Sequence, residues 1–207
     1  MKVAVIGGSF CPPTLAHLAL AKAAEAAVQA DKSLLVPVSA TYLKKKNMQS
    51  AHEQLSDEIR LEMLNAMVAN EPKIAVDDYD ILTGKPTNVY RMLRHFQEQY
   101  PGAAIYFVIG SDKLTVMNRW WTAQAILQEF YVLVATREND DVDRLMDSCQ
   151  NLMPHRERFT KFQLPGEWDG ISSTMVREFM QNSNYTEAKQ CLSPEVFRLL
   201  CAAYSKN

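Results

Sequence analysis

Short apolar runs rich in β-branched residues alternate along the chain with longer segments in which apolar residues recur at helical spacing. The runs predict six strands, at Lys2–Ile6, Ser33–Val38, Lys73–Val76, Ala104–Gly110, Phe130–Thr136 and Phe159–Leu164. The first, fourth and fifth runs are apolar almost throughout, which is typical of parallel strands that are covered on both faces. The hydrophobic pattern therefore favours a buried parallel sheet.

The longer segments predict helices between these strands. Their approximate bounds are Thr14–Gln29, Gln54–Ala69, Val89–Gln99, Thr122–Gln128, Val142–Asn151 and Ser173–Gln181, with a pair near Tyr185–Tyr204. On the second helix Ile59, Met63 and Met67 fall on one stripe, as expected when one face packs on a core. Strands that alternate with helices indicate an α/β fold, a doubly wound parallel sheet with right-handed crossovers.

A doubly wound sheet directs the search for function to one edge. Ligands bind beyond the carboxyl ends of the strands, near the point where the strand order reverses. The residues of interest therefore follow Ile6, Val38, Ile109 and Thr136. We expect one domain over residues 1–207, in which about 183–207 form a helical closing segment.

Composition narrows the class of protein. The chain is 47% hydrophobic and 22% charged, which is ordinary for a globular domain. Its net charge of −2 argues against broad binding to nucleic acid, and no apolar run reaches the ~20 residues of a membrane span. The four cysteines form no CxxC pair, so they predict free buried thiols rather than a zinc or redox site. These features predict a cytoplasmic protein without a membrane partner.

The first predicted strand runs into a glycine turn, Gly7-Gly8-Ser9-Phe10-Cys11-Pro12-Pro13, and then into a helix. Glycine lets the backbone approach a ligand closely, and a helix N-terminus offers free N–H groups and positive potential to a phosphate. Thr14 and His17 are three residues apart, so both fall on one face of the first turn. The turn matches neither the GxGxxG nor the Walker pattern, and a histidine that merely caps or packs fits the spacing equally well.

A second candidate segment, Ile171-Ser172-Ser173-Thr174-Met175-Val176-Arg177, follows a turn near the end of the chain. Ser172 or Ser173 suits the N-cap of the helix that follows. Thr174 and Arg177 are three residues apart, and Ser173 and Arg177 four, so hydroxyls and guanidinium share one face. Such a face can bind a polyphosphate, although an ordinary capped helix with a surface arginine has the same pattern.

Both segments resemble signatures of one superfamily. The first is similar to the GxFxPx(H/T)xGH motif of nucleotidyltransferases, which move an adenylyl or cytidylyl group, and it matches at Gly8, Phe10, Pro12, Thr14 and His17. It departs at Cys11, where Asp or Asn is common, and at Ala16, where glycine is usual. Since Thr14 stands in place of a first histidine, the resemblance leaves the charge at this point mainly to His17.

The second segment resembles the ISSTxxR motif at every fixed position. This form belongs to the branch that adenylylates pyridine mononucleotides, and the resemblance spans Val3 to about Arg177. It implies an enzyme similar to the nicotinate or nicotinamide mononucleotide adenylyltransferases, with a Rossmann-like fold, direct in-line attack on ATP and release of pyrophosphate. It also implies Mg²⁺ that is carried mainly by the phosphates of ATP, with no metal site of the protein's own.

The resemblance assigns roles to single residues. Catalytic roles fall to His17, Thr14 and Arg177, and contacts to ATP fall to Gly8, Ser9, Phe10, Gly110, Asp112, Ser172, Ser173 and Thr174. Contacts to the acceptor fall to Lys45, Trp120 and Trp121, with Trp120 favoured as the ring that stacks on the pyridine. Arg60 and Arg137 are weaker candidates for anion contacts.

Several of these residues also allow a simpler interpretation. Lys44-Lys45-Lys46 fits a solvated loop, Gly110-Ser111-Asp112 fits a plain turn, and both tryptophans fit a packed core. The segment Pro86-Thr87-Asn88-Val89 matches the family poorly where contacts to the pyridine nucleotide are expected.

Other functions remain open at this point. Another phosphorylated acceptor, such as phosphopantetheine, would use the same chemistry, and the departures at Cys11, Ala16 and Val89 suit a nucleotide-binding sensor without turnover. A redox enzyme is disfavoured because the glycine fingerprint is lacking. The sequence does not choose between nicotinate and nicotinamide mononucleotide, nor between a monomer and a homo-oligomer.

Overall fold

The computed structural model describes residues 1–45, 55–84, 88–136 and 140–205, without the side chains of residues 44 and 45. Six strands lie at Lys2–Gly8 (β1), Lys32–Pro37 (β2), Ile74–Val76 (β3), Ala104–Gly110 (β4), Tyr131–Thr136 (β5) and Phe159–Gln163 (β6). All six predicted strands are confirmed.

Helices accompany these strands throughout the described ranges. They lie at Leu15–Val28 (α1), Ala40–Lys45 (α2), Asp57–Val68 (α3), Tyr79–Thr83 (α4), Val89–Gln99 (α5), Leu114–Met117 (α6), Ala123–Glu129 (α7), Val142–Asp147 (α8), Ser173–Gln181 (α9), Tyr185–Gln190 (α10) and Pro194–Tyr204 (α11). Short 3-10 turns lie at Ser111–Lys113, Met153–Arg158 and Gly166–Trp168.

Side-chain caps explain where several of the predicted helices begin. Ser172 accepts the N–H of Met175 at the start of α9, and Ser193 accepts that of Val196 at the start of α11. Ser193 followed by Pro194 also separates α11 from α10, so the predicted C-terminal pair is confirmed.

The sequence missed three helices and overextended one. The missed helices α2, α4 and α6 have at most six residues each, which is too short for apolar periodicity to be recognised. The helix predicted over Val142–Asn151 ends at Asp147, and the residues after it form turns. The predicted start of the second helix, Gln54, lies outside the described residues.

The strands form one six-stranded sheet in the order β3-β2-β1-β4-β5-β6. β4 pairs in parallel with both β1 and β5, and β5 pairs in parallel with β6. In register, Val3 is opposite Ile105, and Val132 is opposite Phe159. The strand order runs outward from β1 on one side and from β4 on the other, which is the predicted doubly wound α/β arrangement.

Burial of the central strands explains their unbroken apolar sequences. Val3–Ile6 in β1 and Val132–Val134 in β5 are at most 3% exposed. Removing these side chains from water on both faces is the main stabilising contribution to a parallel sheet. β6 lies at the sheet edge and buries only Phe162, so its sequence is largely polar.

The chain divides into two compact units. One comprises Met1–Ile6, Leu20–Leu34 and Asn88–Glu167, and the other comprises Gly7–Ala19, Leu35–Thr87 and Trp168–Asn207. In the first unit, the rings of Tyr106 and Tyr131 stack with centroids 5.0 Å apart on neighbouring strands. In the second unit, α11 packs on α3, and both candidate segments lie there. The single domain that the sequence suggests stays a prediction.

No helix in the described ranges is both long and apolar enough to cross a bilayer. The four cysteines form no disulfide within the described residues, and Cys11, Cys149 and Cys191 are buried, as the sequence predicts, whereas Cys201 is half-buried.

Candidate active site

The turn after β1 is built around the side chain of Phe10. This residue is fully buried with a φ of 45°, and its ring packs against Gly8. A Cβ at Gly8 would lie 3.0 Å from Cζ of that ring, which explains the glycine. The N–H of Val38 donates to the Gly8 carbonyl over 2.9 Å and fixes the end of the strand.

His17 lies in the first turn of α1, partly buried, with its ring edge toward Phe10 at a centroid distance of 5.0 Å. Its Nδ1 accepts the backbone N–H of Thr14 over 2.9 Å, and the hydroxyl of the fully buried Thr14 lies 2.8 Å from the same nitrogen. An accepting nitrogen carries no proton, so the neutral ring holds its proton on Nε2.

Burial also decides the charge of this histidine. It lowers the pKa of His17 from 6.5 to about 4, because the imidazolium loses its hydration. The ring is therefore a neutral Nε2–H donor at pH 7. This differs from the sequence expectation that His17 carries the positive charge at this point.

The N-terminus of α1 is less open than the sequence suggested. The N–H of Leu15 donates to the carbonyl of Cys191 over 2.9 Å, and the N–H of Thr14 is bonded to His17. Two of the first N–H groups are therefore bonded within the protein and are not free for a phosphate. His17 does cap the helix through Nδ1, and this leaves its Nε2–H for a ligand.

The start of α9 contacts the turn after β1 directly. Ser173 Oγ donates to the Pro12 carbonyl over 2.8 Å. Arg177 donates to the Cys11 carbonyl over 2.7 Å and to the Thr174 hydroxyl over 3.1 Å. Arg177 is 9% exposed, so it is not the surface arginine of the simpler interpretation. The two candidate segments of the sequence therefore contact each other directly.

Sequence spacing predicts one part of this geometry and misses another. The meeting of Thr174 with Arg177 is a helical contact and is confirmed. The bonds to Pro12 and Cys11 span 161 and 166 positions, and no periodic signal in the sequence reports them. Cys11 takes part in this contact through its backbone carbonyl, and its side chain is fully buried.

Arg60 in α3 is fully buried, although the sequence suggested an anion contact. Its guanidinium donates to the carbonyls of Ser9 and Val38 over 2.6 and 2.7 Å, and to the carboxylate of Asp57. Donors that are bonded in this way are not available to a phosphate, so the structure corrects that expectation. Arg60 instead holds the backbone at the ends of two strands.

Gly110 ends β4, and its lack of a side chain makes room for Asp112. A Cβ at Gly110 would lie 2.5 Å from Oδ1 of Asp112. Asp112 is exposed and pairs with Lys113 over 2.6 Å, a surface contact weak enough to exchange for a ribose hydroxyl. The hydroxyl of the neighbouring Ser111 donates to the carboxylate of Asp140.

Of the three residues that the resemblance assigns to the acceptor, the structure describes the side chains of the two tryptophans. Trp120 is half-buried and tilted against Phe107, with ring centroids 6.3 Å apart, whereas Trp121 is 86% exposed. A core position for both rings is therefore wrong. Lys45 ends α2, and its side chain lies outside the described residues, as does Arg137.

A polar cleft of about 290 Å³ opens at the carboxyl ends of β5 and β6. Its lining includes Thr136, Asp140, Lys161 and Gln163. This is the sheet edge at which ligands of doubly wound folds bind. Across the described ranges, no three His, Cys, Asp or Glu side chains lie together in a way that could hold a metal ion.

Comparison with known proteins decides the family. The model of the family described as cytidylyltransferase-like matches residues 5–179. A protein of Maridesulfovibrio salexigens, named probable nicotinate-nucleotide adenylyltransferase, is 30% identical over 189 residues, which cover 86% of this chain and 85% of that protein. The chain belongs to the nicotinate-nucleotide adenylyltransferase family. A second member, from Nitratiruptor sp. and of the same name, is 31% identical over 144 residues, 70% of this chain and 78% of its own.

Solved structures of the family show the same fold. A nicotinic acid mononucleotide adenylyltransferase of Plasmodium falciparum, complexed with NaAD, superposes with a TM-score of 0.78. The superposition covers 100% of this chain and 98% of that one at 19% identity. The Rossmann-like nucleotidyltransferase fold that the motifs imply is therefore confirmed.

Proposed function

We propose that the protein transfers the adenylyl group of ATP to nicotinate mononucleotide, giving nicotinate adenine dinucleotide and pyrophosphate. The relatives at 30% and 31% identity are named for this activity. The observation that carries the proposal is the bonding of Ser173 and Arg177 to the turn that leads to His17. It brings hydroxyls, a guanidinium and an imidazole donor into one unit, as stabilisation of a transferring phosphoryl group requires.

ATP is assigned to the turn after β1 and the start of α9. Adenine would lie against the backbone of Gly8, Ser9 and Phe10. The ring of Phe10 packs against Gly8, and Arg60 bonds the carbonyl of Ser9, so this backbone is held in place. The β- and γ-phosphates would bind the hydroxyls of Ser172 and Thr174 and the N–H groups of Ser173 and Thr174 in the first turn of α9, with the charge of Arg177 behind them. The Ser173 hydroxyl is left out because it already donates to Pro12. The ribose is assigned to Gly110 and Asp112.

Transfer needs positioning and charge stabilisation more than a strong base. A phosphate oxygen of the acceptor bonds to the α-phosphorus, and the bond from that phosphorus to the oxygen bridging to the β-phosphorus breaks. The electron pair of the broken bond leaves with pyrophosphate. Because the attacking oxygen is already anionic, no protein group has to remove a proton.

His17 would donate its Nε2–H to a non-bridging oxygen of the α-phosphate. As negative charge builds on that oxygen, the hydrogen bond strengthens, so it lowers the barrier more than it improves binding. Thr14 is buried with both its N–H and its hydroxyl at Nδ1. Its role is therefore to fix the ring and its tautomer rather than to contact phosphate.

The acceptor is assigned to Lys45, Trp120 and Trp121. A lysine would bind the phosphate of the mononucleotide as a point charge, and a tryptophan face would stack on the pyridine ring. The open face of Trp121 supports including it alongside Trp120, which the resemblance favours.

Mg²⁺ would enter with ATP, held by phosphate oxygens and water, and would neutralise charge on the leaving pyrophosphate. Cysteines without disulfides among the described residues fit a reducing cytoplasm, which we take as the compartment of the protein.

The test is release of pyrophosphate by the purified protein with Mg·ATP and one acceptor at a time. We expect release with nicotinate mononucleotide, a lower kcat/KM with nicotinamide mononucleotide and none with phosphopantetheine. His17→Ala protein purified in parallel controls for contaminating enzymes. Binding of ATP without release on any acceptor would replace the proposal with a nucleotide sensor, and release on phosphopantetheine alone would replace the acceptor.

A further inference from the structure

Arg60 and Asp57 join the turn after β1 to the start of α2. In the proposed reaction, the first of these is assigned to ATP and the second leads to the acceptor candidate Lys45. Arg60 donates to the carbonyl of Ser9, in the turn assigned to ATP, and to that of Val38, at the end of β2. It also donates to Asp57, whose Oδ1 accepts the N–H of Ala40 over 2.8 Å. One ion pair thus bonds the turn after β1 and the first residue of α2.

The burial of Arg60, whose partner Asp57 keeps 23% of its side chain exposed, argues for a role in geometry rather than in stability. Arg60 is 0% exposed, and its Nε has no hydrogen-bond partner in the part of the chain that the structure describes. Removing the guanidinium of Arg60 from water is unfavourable, and its attraction to a carboxylate offsets that penalty only in part, so an apolar side chain at this position would often be as stabilising. A planar guanidinium can, however, hold several oxygens at fixed relative positions, which an apolar side chain cannot do.

We propose that Arg60, with Asp57, is a positioning residue for adenylyl transfer that sets the ATP-binding turn and the start of α2 relative to each other. The inference rests on the proposed function, which assigns ATP to the turn and the acceptor to α2. Ser9 lies in the turn assigned to adenine, and α2 ends at Lys45, which is assigned to the phosphate of the acceptor. In-line attack tolerates little misplacement of the two substrates, so this pair acts on the reaction without contacting either of them.

The two members of the pair have separable effects. A lysine at position 60 keeps a positive charge, but its single ammonium cannot reach both carbonyls and the carboxylate with the geometry of the guanidinium. Arg60→Lys should therefore loosen the turn at Ser9 and weaken the binding of ATP. Asp57→Ala leaves the bonds of Arg60 to Ser9 and Val38 but removes the bonds of Asp57 to Ala40 and to Arg60. It should therefore lower the unfolding midpoint, because Arg60 loses its carboxylate partner, and should change the KM of the acceptor more than the Kd of ATP.

The experiment measures three quantities for each variant: the midpoint of thermal unfolding, the Kd of Mg·ATP by calorimetry without acceptor, and the KM for nicotinate mononucleotide. Met63→Ala is the matched control, because Met63 is buried in the same helix and its truncation destabilises without touching the polar contacts. All titrations are run at a temperature at which every variant is folded.

We expect Arg60→Lys to raise the Kd of ATP about tenfold, and Asp57→Ala to raise the KM of the mononucleotide about tenfold with the Kd of ATP little changed. Met63→Ala should lower the unfolding midpoint and leave both constants as in the unmutated protein. The proposal is overturned if Arg60→Lys and Met63→Ala lose stability alike and both bind ATP normally. If Arg60→Lys does not fold, an unchanged KM in Asp57→Ala overturns it.

Failure of the proposed function would be visible separately. If the unmutated protein releases no pyrophosphate, adenylyl transfer is wrong. The calorimetric comparison of Arg60→Lys with Met63→Ala still decides whether Arg60 sets the turn at Ser9.

Discussion

Arg177 in α9 donates a hydrogen bond to the backbone carbonyl of Cys11 over 2.7 Å, although 166 positions separate the two residues. Ser173 bonds the neighbouring carbonyl of Pro12 in the same way. Both carbonyls belong to the turn that leads from β1 to His17. A segment that the sequence marks for phosphate binding therefore also shapes the turn on which the proposed catalytic histidine depends.

Replacing Arg177 with lysine should impair both stability and turnover. Arg177 bonds the Cys11 carbonyl through Nη1 and the Thr174 hydroxyl through Nη2, whereas the shorter lysine has one nitrogen and cannot take both positions. A buried carbonyl left without a donor costs about 1–3 kcal/mol. We expect a lower unfolding midpoint and a kcat/KM for ATP reduced about tenfold or more. Arg198→Lys is the control, since Arg198 pairs with Glu195 at the surface. This substitution should change neither the unfolding midpoint nor the kcat/KM for ATP. Normal kinetics for Arg177→Lys would show that the bond to Cys11 is dispensable.

Gly8→Ala should disturb the same turn by crowding. The new Cβ would lie 3.0–3.2 Å from three atoms of the Phe10 ring, which is fully buried and cannot move aside freely. Overpacking of this kind costs about 1–3 kcal/mol and should also weaken ATP binding.

A double-mutant cycle checks the cause of the Gly8→Ala effect. Phe10→Leu removes the ring atoms that the new methyl group meets. We therefore expect Gly8→Ala to be less damaging in the Phe10→Leu background than alone, as measured by urea unfolding and ATP titration. Strictly additive effects would mean that the clash with the ring is not the reason for the glycine.

The parts of the structure that can be predicted are those that leave a continuous or periodic pattern in the sequence. Buried strands such as β1 and β5 have continuous apolar runs, and the contact of Thr174 with Arg177 follows from helical spacing. Arg60 has no such signal, because a basic residue in a helix gives the same pattern whether it faces water or two strand ends. The bonds of Arg60 to Ser9 and Val38 appear only once the chain is folded.

The positive charge that the resemblance implies for His17 differs from the structure for a related reason. The sequence places the residue in the first turn of α1 but does not show how far the ring is buried. In the structure, burial and the bond from Thr14 make it a neutral donor. The sequence likewise does not show the surroundings of Ala16 and Cys11, and both residues are buried in the structure.

The lowered pKa of His17 makes stability depend on pH. The folded protein binds this proton with a pKa of about 4, whereas the unfolded chain binds it near 6.5. Between these values the unfolded state holds more protons, so stability is complete above about pH 6.5 and falls as the pH drops toward 4. The slope from this group is at most about 1.4 kcal/mol per pH unit. Urea unfolding from pH 4 to 7 should show this fall, and His17→Gln should lessen it.

Nitrogen-15 NMR of the histidines offers a direct check. At pH 7 without ligand, we expect His17 to show the neutral ring with the proton on Nε2, and its signal to titrate near pH 4. A midpoint near 6.5 would mean that the ring is well hydrated. In that case the acid limb of kcat/KM would also fall near pH 6.5, and the neutral-donor role would be wrong.

Truncation of His17 tests its proposed role in the transition state. His17→Ala should lower kcat by about 10²–10³ and change the KM for ATP far less, because the lost bond strengthens only as charge develops on the α-phosphate. His155→Ala is the control, since the ring of His155 is hydrogen-bonded to Gln124 in the first unit. A large rise in KM at constant kcat would instead make His17 a ground-state contact.

The two tryptophans give the sharpest test of the acceptor site. Trp121 is 86% exposed, so Trp121→Ala should leave the unfolding midpoint almost unchanged. If its face stacks on the pyridine ring, the same change raises the KM for nicotinate mononucleotide, since stacking contributes about 1 kcal/mol or more. Trp120→Ala removes a ring that packs on Phe107 and should lower the midpoint as well as the affinity. A rise in KM for Trp120→Ala alone would assign stacking to Trp120, as the resemblance favours, and a rise for Trp121→Ala at constant stability would assign it to the exposed ring.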